Sequence, residues 1–410
     1  MSKLYGLAAA LCACANAGGT SEPLRRPLAS AEMRSAEPKP SQPVQLAASN
    51  VAASVIPVNP APEPLVIVAG GDVNFGREVG QYLQHQPDYA PFAGIEAVWR
   101  NADVRFVNLE SQLSFQHGET QSPLHRLIFT GPPEGAAALA RANVTLVSTA
   151  NNHAWDYGRG ALFETLDNLA AAGVLSAGTG RDAASALRPV SLELKGTRIA
   201  WFAVTHVWNQ GPIELHPGRE HVAWANLDRI KSALIAARAE HDLVMLSYHG
   251  GAEYQDAPAD PTRRFVDAVI DAGVDVVIGH HPHVIQGIGF RRERPIFYSL
   301  GNLVFGPRPE HAWTRYGMLA KIRVANGVRS YSICPYRIAG FAPVALEATR
   351  EDKLRSHFLS HVKNASTAVG GIRLGDIDAV GCVEVLPAKL THSPGDPPRV
   401  DPAARPLARR

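Results

Sequence analysis

Three histidines within four residues, His280, His281 and His283, sit between two apolar runs in the stretch VDVVIGHHPHVIQGIGFRRERPIFYSLGNLVFG at positions 274–306. Neutral imidazole nitrogens are good ligands for zinc, iron or manganese, and so dense a cluster at the mouth of a buried strand suits a metal. Pro282 stiffens the loop and partly sets the spacing of the side chains around it. Other apolar runs end in the same kind of chemistry. Residues 65–69 lead into Gly70-Gly71-Asp72, and 104–107 into Asn108-Leu109-Glu110. Residues 144–149 end in Asn151-Asn152-His153 with Asp156 beyond, and 243–248 end in His249, followed by Glu253. Ligands of open α/β sheets bind at the carboxyl ends of the strands, so these groups are expected to converge on one site. Carboxylate, imidazole and an amide oxygen form a hard-to-borderline donor set, fit for Mn, Fe or Zn rather than for an iron–sulfur cluster.

The elements that must position these residues read as an α/β layered domain. Strands are expected at 65–69, 104–107, 144–149, 199–205, 243–248 and 274–278. Helical spacing appears between several of them, as in Leu162, Leu166 and Leu169 with Gly173 placed as a C-terminal cap. Residues 226–240 and 262–272 read as helices in the same way. From Leu319 the pattern turns β-rich, with Asn326-Gly327 as a hairpin turn. A helix over 352–363 follows.

Composition is that of an ordinary globular chain: 410 residues, 46% hydrophobic and 19% charged, with a net charge of +2 that gives no nucleic-acid footprint. No apolar run reaches the length of a membrane span. Lys3, the apolar residues 4–15 and the small residues Ala15-Asn16-Ala17-Gly18 resemble an export signal at 1–17 with cleavage after Ala17. Leu11-Cys12-Ala13-Cys14 also resembles a lipobox, which would place a lipid on Cys14. Residues 18–64 are rich in Ala, Pro and Ser and read as a flexible linker. The folded domain is expected over 65–345, with an extension over 346–390 and a disordered tail over 391–410. Beyond the signal only Cys334 and Cys382 remain. They can pair in an oxidising compartment, but the sequence alone does not fix this.

Six blocks occur in order: GGDVNFGR (70–77), VNLESQLS (107–114), ANNHAWDYGRGALFETLDNL (150–169), HGGAEY (249–254), GHHPHVIQ (279–286) and YSLGNLVFG (298–306). Together they resemble the bacterial capsule-synthesis proteins of the CapA type, associated with poly-γ-glutamate, within the calcineurin-like metallophosphoesterase superfamily. The resemblance implies a four-layer αββα sandwich with a β-rich C-terminal extension and a site for one or two divalent ions (Mn, Fe or Zn). It makes Asp72, Glu110, Asn152, His249, His281 and His283 metal ligands, with Glu110 bridging and His280 as a substitute for His281. It makes His153 a proton donor, and Arg77 and Glu253 substrate-contacting residues. Two departures stand out. The usual Asp-x-His of the first motif is Asp72-Val73-Asn74, and the usual His-Trp-Gly is His249-Gly250-Gly251.

The function that follows is an exported metal-dependent hydrolase, in the periplasm or cell envelope or lipid-anchored there. It would act on phosphoesters in capsule or cell-surface polymer assembly. Its partners would be an anionic polymer or a phosphoester substrate and a membrane-bound synthase, with no nucleic acid. Two alternatives stand beside it: a non-catalytic accessory subunit of a capsule synthase, and a metal-dependent amide hydrolase of capsule or cell wall. Gly178-Thr179-Gly180 lacks the helix of a nucleotide motif. Arg291, Arg292 and Arg294 read as a solvated turn, and His206, His221, His241 and His361 as structural or exposed. Trp155 fits a substrate wall and core packing equally.

Overall fold

The computed structural model describes residues 63–211, 215–216, 218–346 and 351–388. The expected signal, nearly all of the linker, and the tail lie outside the described residues. Ten strands bear on the site: β1 (Leu65–Val73), β2 (Val104–Leu109), β3 (Leu146–Ser148), β4 (Thr197–Thr205), β5 (Leu243–His249), β6 (Val276–His280), β7 (Asn302–Val304), β8 (Tyr316–Ala325), β9 (Val328–Ala339) and β10 (Val383–Pro387). The helices that flank them are α1 (Arg77–His85), α2 (Glu134–Arg141), α3 (Gly158–Ala171), α4 (Leu227–Glu240), α5 (Asp260–Asp271) and α6 (Asp352–Ser366).

Strands β10, β9, β8, β1, β2 and β3 lie side by side in the larger sheet. β1, β2 and β3 are parallel, whereas β8 and β9 form an antiparallel hairpin turned at Asn326 and Gly327, both at positive φ. β4, β5 and β6 are parallel neighbours in the smaller sheet. Alternate residues sort into two faces on each sheet, which explains the layers. Ile67, Phe106, Leu146, Trp201, Met245 and Ile278 meet in a core between the sheets. The opposite face of the larger sheet buries Val68 and Val107 with Val79 and Leu83 of α1 and Leu139 of α2. The opposite face of the smaller sheet buries Val244 and Val277 with Ile230 and Leu234 of α4 and Val266 and Val269 of α5. Helix, sheet, sheet, helix is therefore the order of the layers.

Local signals end the helices where the sequence puts them. Asn226 caps α4 by accepting the Arg229 N–H at 3.2 Å, and Gly173 follows α3 at φ +73. The segment after 346 joins the larger sheet, because β10 pairs with β9 and Phe358 and Val362 of α6 enter the inter-sheet core. A disulfide between Cys334 on β9 and Cys382 beside β10 ties that edge, and both cysteines are buried.

Candidate metal centre

A bulge aims the first carboxylate. β1 and β2 pair Ala69 with Phe106 and then Asp72 with Asn108, so β1 carries one extra residue at Gly70-Gly71. The extra residue reverses the alternation, and Asp72 joins Ile67 and Ala69 on the inter-sheet face. Only glycine fits there, since a Cβ on Gly71 would lie 1.9 Å from the Gly301 carbonyl oxygen. In register with Asp72 stand Asn108 of β2 and Asn302 of β7. On the facing sheet His280 of β6 is in register with His249 of β5.

These two rows touch. Asn108 Nδ2 donates to Asp72 Oδ1 at 2.8 Å and lies 3.2 Å from His249 Nδ1. His280 Nδ1 is 3.2 Å from Asp72 Oδ1, and His283 Nδ1 is 3.5 Å from Asp72 Oδ2. His249 Nε2 lies 2.7 Å from Asn152 Oδ1 and 3.8 Å from Glu110 Oε1, which is also 3.7 Å from His283 Nε2. Two overlapping triplets result, Asp72–Glu110–His249 and Glu110–His281–His283, each with one ligand atom per residue within 4.8 Å of the others. Glu110 belongs to both. His281 and His283 hold φ of +99 and +60, a left-handed backbone that costs a non-glycine residue roughly 1–3 kcal/mol. The loop is pinned in this shape by Asp72 Oδ2, which accepts the His281 N–H at 3.2 Å, and by the Pro282 carbonyl, which accepts the Tyr254 N–H at 2.9 Å.

The donor atoms fit a divalent cation. Asp72, Glu110 and His249 are wholly buried, yet neither Glu110 oxygen has a hydrogen-bond partner, nor does His281 Nδ1 or His280 Nε2. Buried polar atoms left unpaired are costly unless something else meets them, and carboxylate and imidazole atoms gathered in one place match borderline ions. Burial, then the charges of Asp72 and Glu253, push the Glu110 carboxyl well above its usual range. Burial pushes Asp72 up as well, but hydrogen bonds from His280 and His283 outweigh it and hold the carboxyl well below that range. Burial, reinforced by neighbouring histidines, keeps His249 far below its ordinary value and brings His281 down to about 4. Both are therefore neutral imidazoles near neutral pH, the form that ligates metal.

Around the cluster, His153 Nδ1 lies 2.7 Å from Asp156 Oδ2, and its ring packs on Phe129 at 4.1 Å between centroids. Arg77 covers Phe129 at 4.4 Å and donates to the Arg126 carbonyl at 3.2 Å. Glu253 is exposed at the rim. Burial pushes its carboxyl up, but His283 and the Tyr254 hydroxyl outweigh this and hold it below its usual value. The expected ligands Asp72, Glu110, Asn152, His249, His281 and His283 thus lie together, with Arg77, His153 and Glu253 close enough for their charges to act on the cluster. Asn74, at the position of the expected histidine, instead closes its own turn, its Oδ1 accepting the Gly76 N–H at 2.7 Å. Trp155 lies beneath the segment at 218–221, stacked on His221 at 5.7 Å, and packs against the inter-sheet core. Asn108 and Asn302 lay inside quoted motif blocks without a role. Asn209 and Gln210, which bond Asn152 and Asp156, lie in no motif and carried no signal.

The family model described as "Bacterial capsule synthesis protein PGA_cap" matches residues 66–307. The PGA biosynthesis protein CapA of Bacillus subtilis is 29% identical over 287 residues, which span 68% of this chain and 74% of that protein. The capsule biosynthesis protein CapA of Bacillus anthracis is 28% identical over 68% of this chain and 69% of its own length. A Mycobacterium tuberculosis protein named "Probable polyglutamine synthesis accessory protein" is 26% identical over 59% of this chain and 75% of its own. Among solved structures, a hypothetical protein of Thermus thermophilus aligns at a TM-score of 0.42 and 15% identity, covering 67% of this chain and 100% of that one. The NAD nucleotidase of Haemophilus influenzae aligns at 0.40 and 14%, covering 67% and 56%. Likeness at these scores adds nothing to the layers described above.

Proposed function

The chain belongs to the bacterial capsule synthesis protein PGA_cap family, and from that premise we propose that it is an exported, metal-dependent hydrolase of phosphoesters serving poly-γ-glutamate capsule assembly. One observation carries the reading: Glu110, wholly buried and shared by two ligand triplets, has no hydrogen-bond partner for either oxygen. Asp72, Glu110, Asn152, His249, His281 and His283 would hold one or two ions, with His280 beside Asp72. Ions of this class supply Lewis acidity towards a phosphoryl oxygen and lower the pKa of water.

The chain's own groups do the rest. Arg77, held over Phe129, neutralises and orients an anionic group as it enters. Asp156 takes the Nδ1 side of His153 and leaves Nε2 to deliver a proton to the leaving oxygen, a contribution of order 10²–10⁴. Phe129 fixes that ring from one face, and its N–H donates to Asp156 Oδ2 at 3.0 Å. Burial of the ligands excludes bulk water and strengthens each electrostatic contact.

Export is supported by the signal-like residues 1–17 and by the Cys334–Cys382 disulfide, a bond that persists in oxidising compartments. The second reading, a non-catalytic accessory subunit bound to a synthase, is favoured by the name of the mycobacterial relative and by the absence of a histidine at Asn74. A panel of phosphoesters incubated with Mn-, Fe- and Zn-loaded protein separates the two. Turnover lost in Glu110→Gln supports the hydrolase. Metal retention without turnover of any ester favours the accessory role, and Glu110→Gln with unchanged metal content and activity removes the hydrolase reading.

A further inference from the structure

An asparagine that ligates a cation must present its oxygen, because the amide NH₂ has only donors to offer. The two ends of a carboxamide are nearly the same in shape, so the partner of the far end decides which one faces the site. For Asn152 that partner lies in the loop after β4. Asn152 Nδ2 donates to Asn209 Oδ1 at 3.1 Å, and this leaves Asn152 Oδ1 facing His249 Nε2 at 2.7 Å. The loop is pinned to the same turn a second time, where Gln210 Nε2 donates to Asp156 Oδ1 at 3.2 Å. Asn209 itself is exposed, so its side chain contributes no core packing.

We propose that Asn209 is a positioning residue that fixes the orientation of the Asn152 amide and so supplies the metal centre with an oxygen in place of a nitrogen. The assignment rests on the metal-binding reading above. Without the Asn209 acceptor, Asn152 Nδ2 loses the partner that holds it away from the site, and a flipped amide would turn donors towards the cation. Partners of this kind, which orient a ligand without touching the ion, are worth about 10–100-fold in metal affinity.

The test is calorimetric titration of the full chain with Mn²⁺, comparing wild type, Asn209→Ala, Asn209→Asp and Asn152→Ala. Asn209→Ala is expected to weaken binding by about 10–100-fold, towards Asn152→Ala. Asn209→Asp, which keeps an acceptor oxygen, is expected to bind at least as tightly as wild type. Wild-type affinity in Asn209→Ala beside a weakened Asn152→Ala overturns the assignment and leaves the metal reading standing. Equal losses in Asn209→Ala and Asn209→Asp overturn it too, as does undiminished binding by Asn152→Ala. A wild type that binds none of Mn²⁺, Fe²⁺ and Zn²⁺ in the same titration overturns the metal reading and this assignment with it.

Discussion

Replacing Glu110 with glutamine should move stability in opposite directions with and without metal. Glu110 is wholly buried, neither oxygen has a partner, and the Asp72 carboxylate lies in the same cluster. Leaving one buried polar group unpaired costs about 1–3 kcal/mol, and more for a charged one. In the metal-free protein Glu110→Gln avoids both the buried charge and the proton taken up to suppress it, at nearly constant shape, and is expected to stabilise by about 1.4 kcal/mol for each pH unit above ~4.3 until the folded value is reached. The pH dependence fixes the sign. Burial and neighbouring charge raise the carboxyl in the folded state, so above the unfolded value of about 4.3 the native state holds the extra proton. Stability of the wild type therefore falls as pH rises through that window, and Glu110→Gln does not share this loss. The gap between them should be small near pH ~4 and widen to a plateau above the folded value. With metal at 1,000 times Kd the order reverses near neutral pH, because binding then adds about 4.1 kcal/mol to a protein that can bind. Denaturant melts across this pH range, in chelator and in Mn²⁺, read all of these signs. A metal-free Glu110→Gln less stable than wild type at neutral pH would refute the reasoning, since the carboxylate would then have favourable partners in the protein itself.

Other expectations follow from single contacts. Removing the Cys334–Cys382 disulfide by a double serine substitution frees a separation of 48 residues and should cost about 4 kcal/mol by loop entropy, seen as a lower denaturant midpoint. Gly71→Ala sets a Cβ against the Gly301 carbonyl, so a loss of at least about 1–3 kcal/mol is expected together with weaker metal retention; an unchanged melt would refute the bulge argument. Arg77→Lys keeps the charge but not the planar fork over Phe129, and should lower kcat/KM for an anionic ester less than Arg77→Ala does. Equal effects would show that charge alone matters.

Much of the sandwich was legible because its strands are buried on both faces and read as apolar runs. The expected strand at 65–69 stopped at Gly70-Gly71, where glycines usually break a run. In the fold they form the bulge, and β1 continues to Val73. The expected strand at 144–149 is shorter, Leu146–Ser148, because only these residues pair with β2. The carboxylates, amides and histidines at the strand ends announced a common site, since strand direction places carboxyl ends together. Their second partners stayed invisible. Asn209 meets Asn152 across 57 residues of chain, a pairing that no local pattern encodes. The same holds for β9 and β10, paired across a long intervening segment.

The most direct test is the metal content of purified full-length protein, by elemental analysis, beside an Asp72→Ala/His283→Ala double variant of unchanged fold. Loading with Mn, Fe or Zn should leave one or two ions on each wild-type chain and none on the variant. Wild type that retains no ion under any loading, or a variant that retains as many as wild type, would contradict a metal centre built on Asp72, Glu110 and the histidine loop.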